Sequence, residues 1–426
     1  MRDVVVIGLD ETNRESLSST TYADSCRFIS LLDHDEVRGL EDFDFKALVT
    51  TCEERIESLG IRPDGICTFW DFPVAELALV LAQRHGCPST TLESVVRAHH
   101  KYWSRLLQAE VVPEAVPQFA PVDPFDPAAV HSAPLPYPFW LKPVRSFRSH
   151  LAFQIHDRNE LDVALEQIRE GIPRLAGPYD EILAQVSLPS EVASVDGSWC
   201  IAEAPIGGRQ CTVEGFVYDG IPEVYGIVDS VRAKNRSSFR RYEYPSRLPE
   251  RVQARMIDLT ERAVMAMGYD GAPFNVEFFW DRSTKQVWLL EINARQSQSH
   301  AHLFEHVDGV ANHEVMVALA LGERPHMPTG QGASGVAAKW FLRAWSDGVV
   351  RRVPTGAELD QLHERFPEAQ IHIDVAEGDR LSELPDQDSY SYEMGVVYAT
   401  ASSNTQLLDD YKRLRAELPL KVRRSR

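Results

Sequence analysis

The stretch NVEFFWDRSTKQVWLLEINARQ, Asn275 to Gln296, sets two glutamates and two asparagines in an otherwise apolar segment. Two apolar-rich runs, Phe274 to Trp280 and Val287 to Ile292, flank the polar DRSTKQ, the sequence form of a β-hairpin with a short loop. Folding it symmetrically about Thr284 pairs Val276 with Ile292, Phe278 with Leu290 and Trp280 with Trp288, a uniformly apolar face that must be buried. The other face then pairs Asn275 with Asn293 and Glu277 with Glu291. Directly opposed side chains sit about 4.5–5.5 Å apart at Cβ, where like charges repel. Either one carboxyl keeps its proton, or a cation lies between them. Oxygen donors on one rigid face suit a hard divalent ion such as magnesium.

The rest of the chain sets the frame for that hairpin. A length of 426 residues predicts about two to four domains, and 44% hydrophobic with 25% charged residues is the composition of a globular protein. The net charge of −19 argues against a general nucleic-acid binder, because phosphate-backbone affinity comes from clustered Lys and Arg. No apolar run reaches membrane-spanning length and the N-terminus does not read as a signal peptide, so a cytoplasmic protein without membrane partners is expected. Six scattered cysteines without a C-x-x-C pair are expected to be reduced and mostly buried. The final KVRRSR reads as a frayed basic end.

Along the chain, DVVVIGLD and DGICTFWD read as strands, and VAELALVLAQRHG as a helix ending at Gly86. Together they imply a parallel α/β unit. The dinucleotide fingerprint is missing, since one glycine follows VVVI where three are needed. Proline-rich PVDPFDPAAVHSAPLPYP (Pro121 to Pro138) reads as a connector. The middle then supplies strands around FWLKPV, LAFQIH and SWCIAEAPIGGRQCTVEGFVYDGIPEVYGIV, with a helix from about Asn159 to Gly171 and a longer one before the hairpin. From about Gly332 the pattern is strand, helix, strand, strand, helix.

Within this order Lys142 sits in the apolar strand FWLKPV, Lys101 opens HHKYWSR, and Glu203 lies in the apolar CIAEAPIGG. The order resembles the ATP-grasp superfamily of carboxylate–amine ligases, whose relatives include L-amino acid ligases, D-alanine–D-alanine ligases and biotin carboxylases. AHHKYWSRLLQAEVVPEAVPQF resembles the family's lysine helix. WLKPVRSFRSHLAF resembles the strand–loop–strand over the phosphates, CIAEAPIGGRQCTVEGFV the adenine hinge, and FNVEFF…WLLEINAR the metal hairpin. The resemblance implies a multidomain α/β and α+β fold. Its parts would be a Rossmann-like parallel pre-ATP-grasp domain (1–97), a two-lobed ATP-grasp domain with antiparallel sheets (98–330, lid about 135–205) and a smaller C-terminal α+β lobe (331–426).

It also implies roles. Lys101 and Lys142 would bind phosphate oxygens, joined by Ser146 and Ser149 of the lid and by Lys234. Glu203 would accept from the adenine amino group, the backbone of Ala204 and Ile206 would read the ring, and Gln210 would bond the ribose. Glu277, Glu291 and Asn293 would hold two magnesium ions, with manganese as an alternative, and Arg295 would face the acyl phosphate or the substrate carboxylate. The implied cofactors are ATP and Mg2+, the implied partners a small carboxylate and an amine, and a homodimer is an allowed assembly. RSFRSH has no glycine where the family's lid is glycine-rich, so Arg145 and Arg148 are expected to compensate. Ala294 stands where a proline is frequent. Two alternatives stay open: an ATP-binding regulatory protein of the same fold, and a zinc hydrolase using His302, Glu305 and His306, which spell H-x-x-E-H.

Overall fold

A computed structural model describes residues 1–40, 43–126, 133–146, 151–233, 238–385, 387 and 390–424. The N-terminal unit is a parallel sheet in which β1 (Arg2–Val6) lies between β2 (Cys26–Ser30) and β3 (Gly65–Cys67). VVVI reads as one apolar run because both faces of β1 are buried. Val5 and Ile7 pack on helices Phe45–Leu59 and Val74–His85. Val4 and Val6 pack on Met316 and Val317 of helix His313–Ala320, which arrives from far down the chain. All six cysteines are free and buried.

The second sheet runs β4–β7–β5–β6, built from β4 (Phe119–Val122), β5 (Phe139–Pro143), β6 (Phe153–Ile155) and β7 (Cys200–Glu203), all antiparallel. Leu161, Leu165 and Ile168 of helix Arg158–Gly171 close its apolar face. The third sheet contains β8 (Arg209–Tyr218), β9 (Ile221–Arg232), β10 (Phe239–Tyr244), β11 (Ala272–Asp281), β12 (Gln286–Asn293) and β13 (Val336–Ala344). After β14 (Gly348–Arg352) come β15 (Ala369–Ile373), β16 (Tyr392–Ala401) and β17 (Lys421–Arg424). The third sheet has eight strands in the order β12–β11–β8–β9–β10–β13–β16–β15. The C-terminal lobe therefore has its own apolar core, but its strands β13, β16 and β15 continue the large sheet, because β13 bonds to β10. The tail expected to fray instead pairs, as β17, with β14, whose Val350 is fully buried.

The hairpin expectation was right at its open end and wrong at its loop end. Asn275 faces Asn293, Val276 faces Ile292 and Glu277 faces Glu291, after which Phe278 pairs with Leu289, Phe279 with Trp288 and Trp280 with Val287. Leu290 is the extra residue of a β-bulge. The physical reason lies outside the hairpin, in a buried guanidinium that the two carbonyls at the bulge bind. Arg105, on helix Lys101–Val111, donates to Leu289 O (3.0 Å) and Leu290 O (2.6 Å), and also to Gln108 and to Glu203 at the end of β7. One side chain thus fastens the hairpin, the lysine helix and the second sheet.

Removing a partner from a buried ion pair costs about 3–5 kcal/mol. Glu203 would keep Lys142 as a counter-ion, so Arg105→Met is expected to cost about 3 kcal/mol, the lower end of that range. Urea denaturation followed by circular dichroism checks this, and a loss below about 1 kcal/mol, the worth of one ordinary hydrogen bond, would show that the guanidinium does not fasten these parts.

Candidate active site

The hairpin's polar face is a continuous network. Gln210 on β8, fully buried, donates its amide to Glu277 Oε2 at 2.7 Å and accepts from Arg232 Nε at 2.6 Å. Asn293 Nδ2 donates to Asn275 Oδ1 (3.2 Å) and Glu277 Oε1 (3.4 Å), which leaves its own Oδ1 facing away from these bonds. Burial, reinforced by the Glu291 charge opposite, pushes the Glu277 carboxyl up to about 7. Glu291 is half-buried, and its nearest cation is Lys101 Nζ at 4.0 Å. Two adjoining carboxylates and an amide oxygen, under-supplied with positive charge, are a fitting donor set for magnesium. Gln210, expected at the ribose, instead spends both ends of its amide on this face.

The cations converge from separate segments. A break at His100, whose Nδ1 caps the following helix by accepting from Trp103 N–H, puts Lys101 at a helix start. Lys101 Nζ donates to Ser146 O at 2.9 Å, at the foot of the lid loop, and burial lowers it to about 8. Lys142 is not unpaired, since its ammonium lies 2.5 Å from Glu203 Oε2. Burial alone would raise Glu203, but Arg105 and Lys142 bring it down to about 2. Glu203 is therefore a counter-ion here, where an adenine acceptor was expected. Ala204 N–H is also engaged, by Gln118 O at 2.8 Å, whereas the N–H of Ile206 bonds none of the described residues. Lys234 and Ser149 lie outside the described residues, as do Phe147 and Arg148.

Arg145 departs from its expected place over the phosphates. It is buried, stacks on Phe72 (5.0 Å) and pairs at 2.5 Å with Asp71 at the end of the N-terminal sheet. Arg295 reaches the other oxygen of the same carboxylate at 3.1 Å. Burial opposes the charge on Asp71, yet Arg145 and Arg295 hold it well below the usual carboxylate range. His99 Nδ1 meets Glu76 at 2.8 Å, and its Nε2 accepts from Ala294 N–H at 3.3 Å. That bond uses the N–H a proline would lack, so the site's E-x-N-x-R end is held by hydrogen bonding.

Glu214, Asp71, Glu76, His99 and Arg105 were all missed in the sequence. Glu214 is fully buried and accepts from Tyr225, Asn275, Ser297, His300 and Asn312, tying the chain after the hairpin to β8. Its signal was available: a carboxylate in the apolar TVEGFV, the same oddity that singled out Glu203. Asp71 and His99 carry no local signal, because the arginine that pairs with Asp71 and the N–H that bonds His99 lie 74 and 195 residues away.

The zinc alternative is not supported. His302 and His306 rings stack 6.5 Å apart, His302 Nδ1 lies 3.7 Å from Glu305, and the His302 ring packs on Tyr398. Among the described residues no three His, Cys, Asp or Glu side chains gather where they could hold a metal.

Two carboxylates, an amide and two lysines thus meet between the second sheet and the third. Residues 135–301 match the family of the ATP-grasp domain. Over its whole length the chain has the multidomain α/β and α+β fold of the following solved structures. It is similar to L-amino acid ligase from Bacillus licheniformis, at 16% identity and a TM-score of 0.71, with 100% of this chain and 99% of that one covered. Carboxyaminoimidazole ribonucleotide synthase from Aspergillus clavatus, complexed with ATP, follows at 15%, 0.65, and 98% of each chain. The biotin carboxylase domain of 2-oxoglutarate carboxylase from Hydrogenobacter thermophilus, with MgADP and bicarbonate, stands at 14%, 0.63, and 98% and 91%. A search of the curated proteins returned no match.

The raised Glu277 carboxyl has a pH signature in metal-free protein. Its stabilising contribution is complete below about pH 4.3, the value of a free carboxyl, and is lost as pH rises through about 7. Glu291→Gln removes the repelling charge, so its melting temperature in EDTA should exceed wild type by about 2–4 °C at pH 8, roughly the effect of 1 kcal/mol. The difference should vanish near pH 4. Equal melting at pH 8 would show that the two carboxylates do not oppose each other.

Proposed function

We propose that this protein is an ATP- and magnesium-dependent ligase that activates a carboxylate as an acyl phosphate and joins it to an amine. The observation that carries this reading is the convergence of Lys101, Lys142 and the hairpin's Glu277, Glu291, Asn293 and Arg295 from three separate segments at one end of the large sheet. Full-length likeness to ligases that couple ATP to carboxylate chemistry supports it.

In this reading Glu277, Glu291 and Asn293 hold magnesium, which supplies charge neutralisation on the phosphate oxygens. Lys101 and Lys142 contact those oxygens from the lid side, and the lid strands exclude water. Ala204 O and Ile206 N–H form the adenine edge of the site. The Arg295 fork orients the substrate carboxylate, whose oxygen attacks the γ-phosphorus as the bond to ADP breaks. The amine nitrogen then attacks the acyl carbon and phosphate departs. Positioning and charge stabilisation do the catalytic work, so no nucleophilic side chain is assigned.

A phosphate-release screen of carboxylic acids against amines, with ATP and Mg2+, tests the reaction. Release that requires both an acid and an amine is expected, and Glu291→Gln should abolish it. Release dependent on neither substrate, or none with any pair, would favour an ATP-binding protein without ligase activity. Lys101→Met removes a charge-assisted contact worth about 1.5–3 kcal/mol. It should therefore weaken a non-hydrolysable ATP analogue about tenfold or more by calorimetry, and unchanged affinity would take Lys101 out of the nucleotide site.

A further inference from the structure

The polar face that begins at the hairpin does not end at the nucleotide site. Gln210 pairs with Ser230, Ser230 with Tyr242, Tyr242 with Lys339, and Lys339 with Tyr398, one unbroken row across β8, β9, β10, β13 and β16. Opposed residues of antiparallel strands share a face, so Lys339 lies on the side of the sheet that carries Gln210 and its bonded Glu277.

Lys339 is half-buried, and among the described residues no carboxylate comes within 4.0 Å of its ammonium. Its hydrogen bond is to Ser299 Oγ at 3.3 Å, and the rings of Phe341 (5.4 Å) and Tyr398 (5.3 Å) flank it. The Tyr242 ring stands edge-on to Phe341 (5.2 Å) and to His300 (4.8 Å). The hydroxyls of Tyr242 and Tyr398 have no hydrogen-bond partner among the described residues. His302, more than nine-tenths buried with its ring 4.5 Å from Tyr398, has an Nε2 with no partner there either. An ammonium taken partly out of water is costly without an anion. The cluster therefore offers donors and aromatic walls, and among the described residues lacks an anion.

Its distance from the hairpin bears on what that anion is. Lys339 stands three strands from Gln210, about 14 Å at roughly 4.8 Å per strand. An anion held there belongs to a second molecule reaching toward the acyl end of the nucleotide. One ammonium with hydroxyl donors balances the single charge of a carboxylate, whereas a phosphate dianion calls for further cations. The neighbouring cations are committed elsewhere: Arg343, over the same Phe341 ring, bonds Phe239 O, Ser391 Oγ and Glu393, and Arg232 has its Nε on Gln210 and its guanidinium over Phe239 and Phe279.

We propose that Lys339, with Ser299, Tyr242 and Tyr398, binds the carboxylate of the amine-bearing substrate, so that the acceptor is an amino acid. The assignment of that carboxylate to the amine substrate rests on the ligase reading. Carboxylate binding at Lys339 does not.

Thermal-shift and calorimetric titrations of the full chain, with ADP and Mg2+ present, test it. The probes are the twenty L-amino acids, their carboxamides and inorganic phosphate, against wild type, Lys339→Met and Lys339→Arg. The expected result is that at least one amino acid binds, its carboxamide binds tenfold or more weakly, and Lys339→Met loses that preference while Lys339→Arg retains part of it. The shift produced by ADP and Mg2+ should be the same in all three proteins, which separates loss of this subsite from misfolding. No amino-acid binding to wild type, equal binding of acid and amide, or an unaltered Lys339→Met would each overturn the proposal. Lys339-dependent binding of phosphate in place of amino acids would overturn it as well. Should amino acids bind through Lys339 while no acid–amine pair releases phosphate, the ligase reading fails and the carboxylate subsite stands.

Discussion

Two carboxylates held opposite each other on one rigid pair of strands are the constraint around which this protein is arranged. Glu277 and Glu291 cannot move apart, because Val276, Phe278 and Ile292 lock the other face of the hairpin into the core beneath it. The repulsion is answered locally in small ways: a proton retained to about pH 7 on Glu277, an amide from Gln210, and a lysine 4.0 Å from Glu291. None of these supplies a full compensating charge. Opposed carboxylates beside an amide oxygen have the donor chemistry of a divalent-ion site.

The surrounding architecture meets at that face through buried ion pairs that cross between units. Arg105 joins the lysine helix, the lid and the hairpin bulge. Asp71 joins the N-terminal sheet to the lid loop through Arg145 and to the hairpin end through Arg295, while Glu76 and His99 hold the intervening Ala294. Buried pairs of this kind give little net stability, because desolvation offsets most of the attraction. Their effect is geometric, since breaking any one leaves a charge stranded. The relative placement of lid, hairpin and N-terminal unit is thereby fixed to within hydrogen-bond length. The same pairs explain how a lid foot without glycine is anchored: Ser146 O receives Lys101, and Arg145 turns inward to Asp71.

The continuity of the large sheet has a functional side. Because β13 bonds directly to β10, the C-terminal lobe extends the polar face of the carboxylate hairpin instead of standing apart from it. Side chains more than a hundred residues apart in sequence thus form one row, with the hairpin carboxylates at one end and Lys339 toward the other.

Local pattern in the sequence determined a good deal. Alternation and a polar loop made the hairpin legible, including the Glu277–Glu291 opposition, because side-chain direction in a strand follows from period two alone. Apolar runs and glycine caps marked the N-terminal parallel unit, and the order of Lys101, Lys142, Glu203 and the E-x-N-x-R end pointed to the ATP-grasp fold. Tertiary structure alone decided the rest. The bulge at Leu290 exists because Arg105 reaches its carbonyls, and nothing within the hairpin announces it. Gln210 and Glu203 looked like nucleotide contacts by position, yet their side chains are claimed by Glu277, Arg105 and Lys142 once the strands are brought together. Asp71, His99 and Lys339 owe their meaning to partners, or to the lack of them, that only the folded chain brings near. Periodicity constrains which face a residue takes, but the charge it meets there depends on which distant segment the core places opposite.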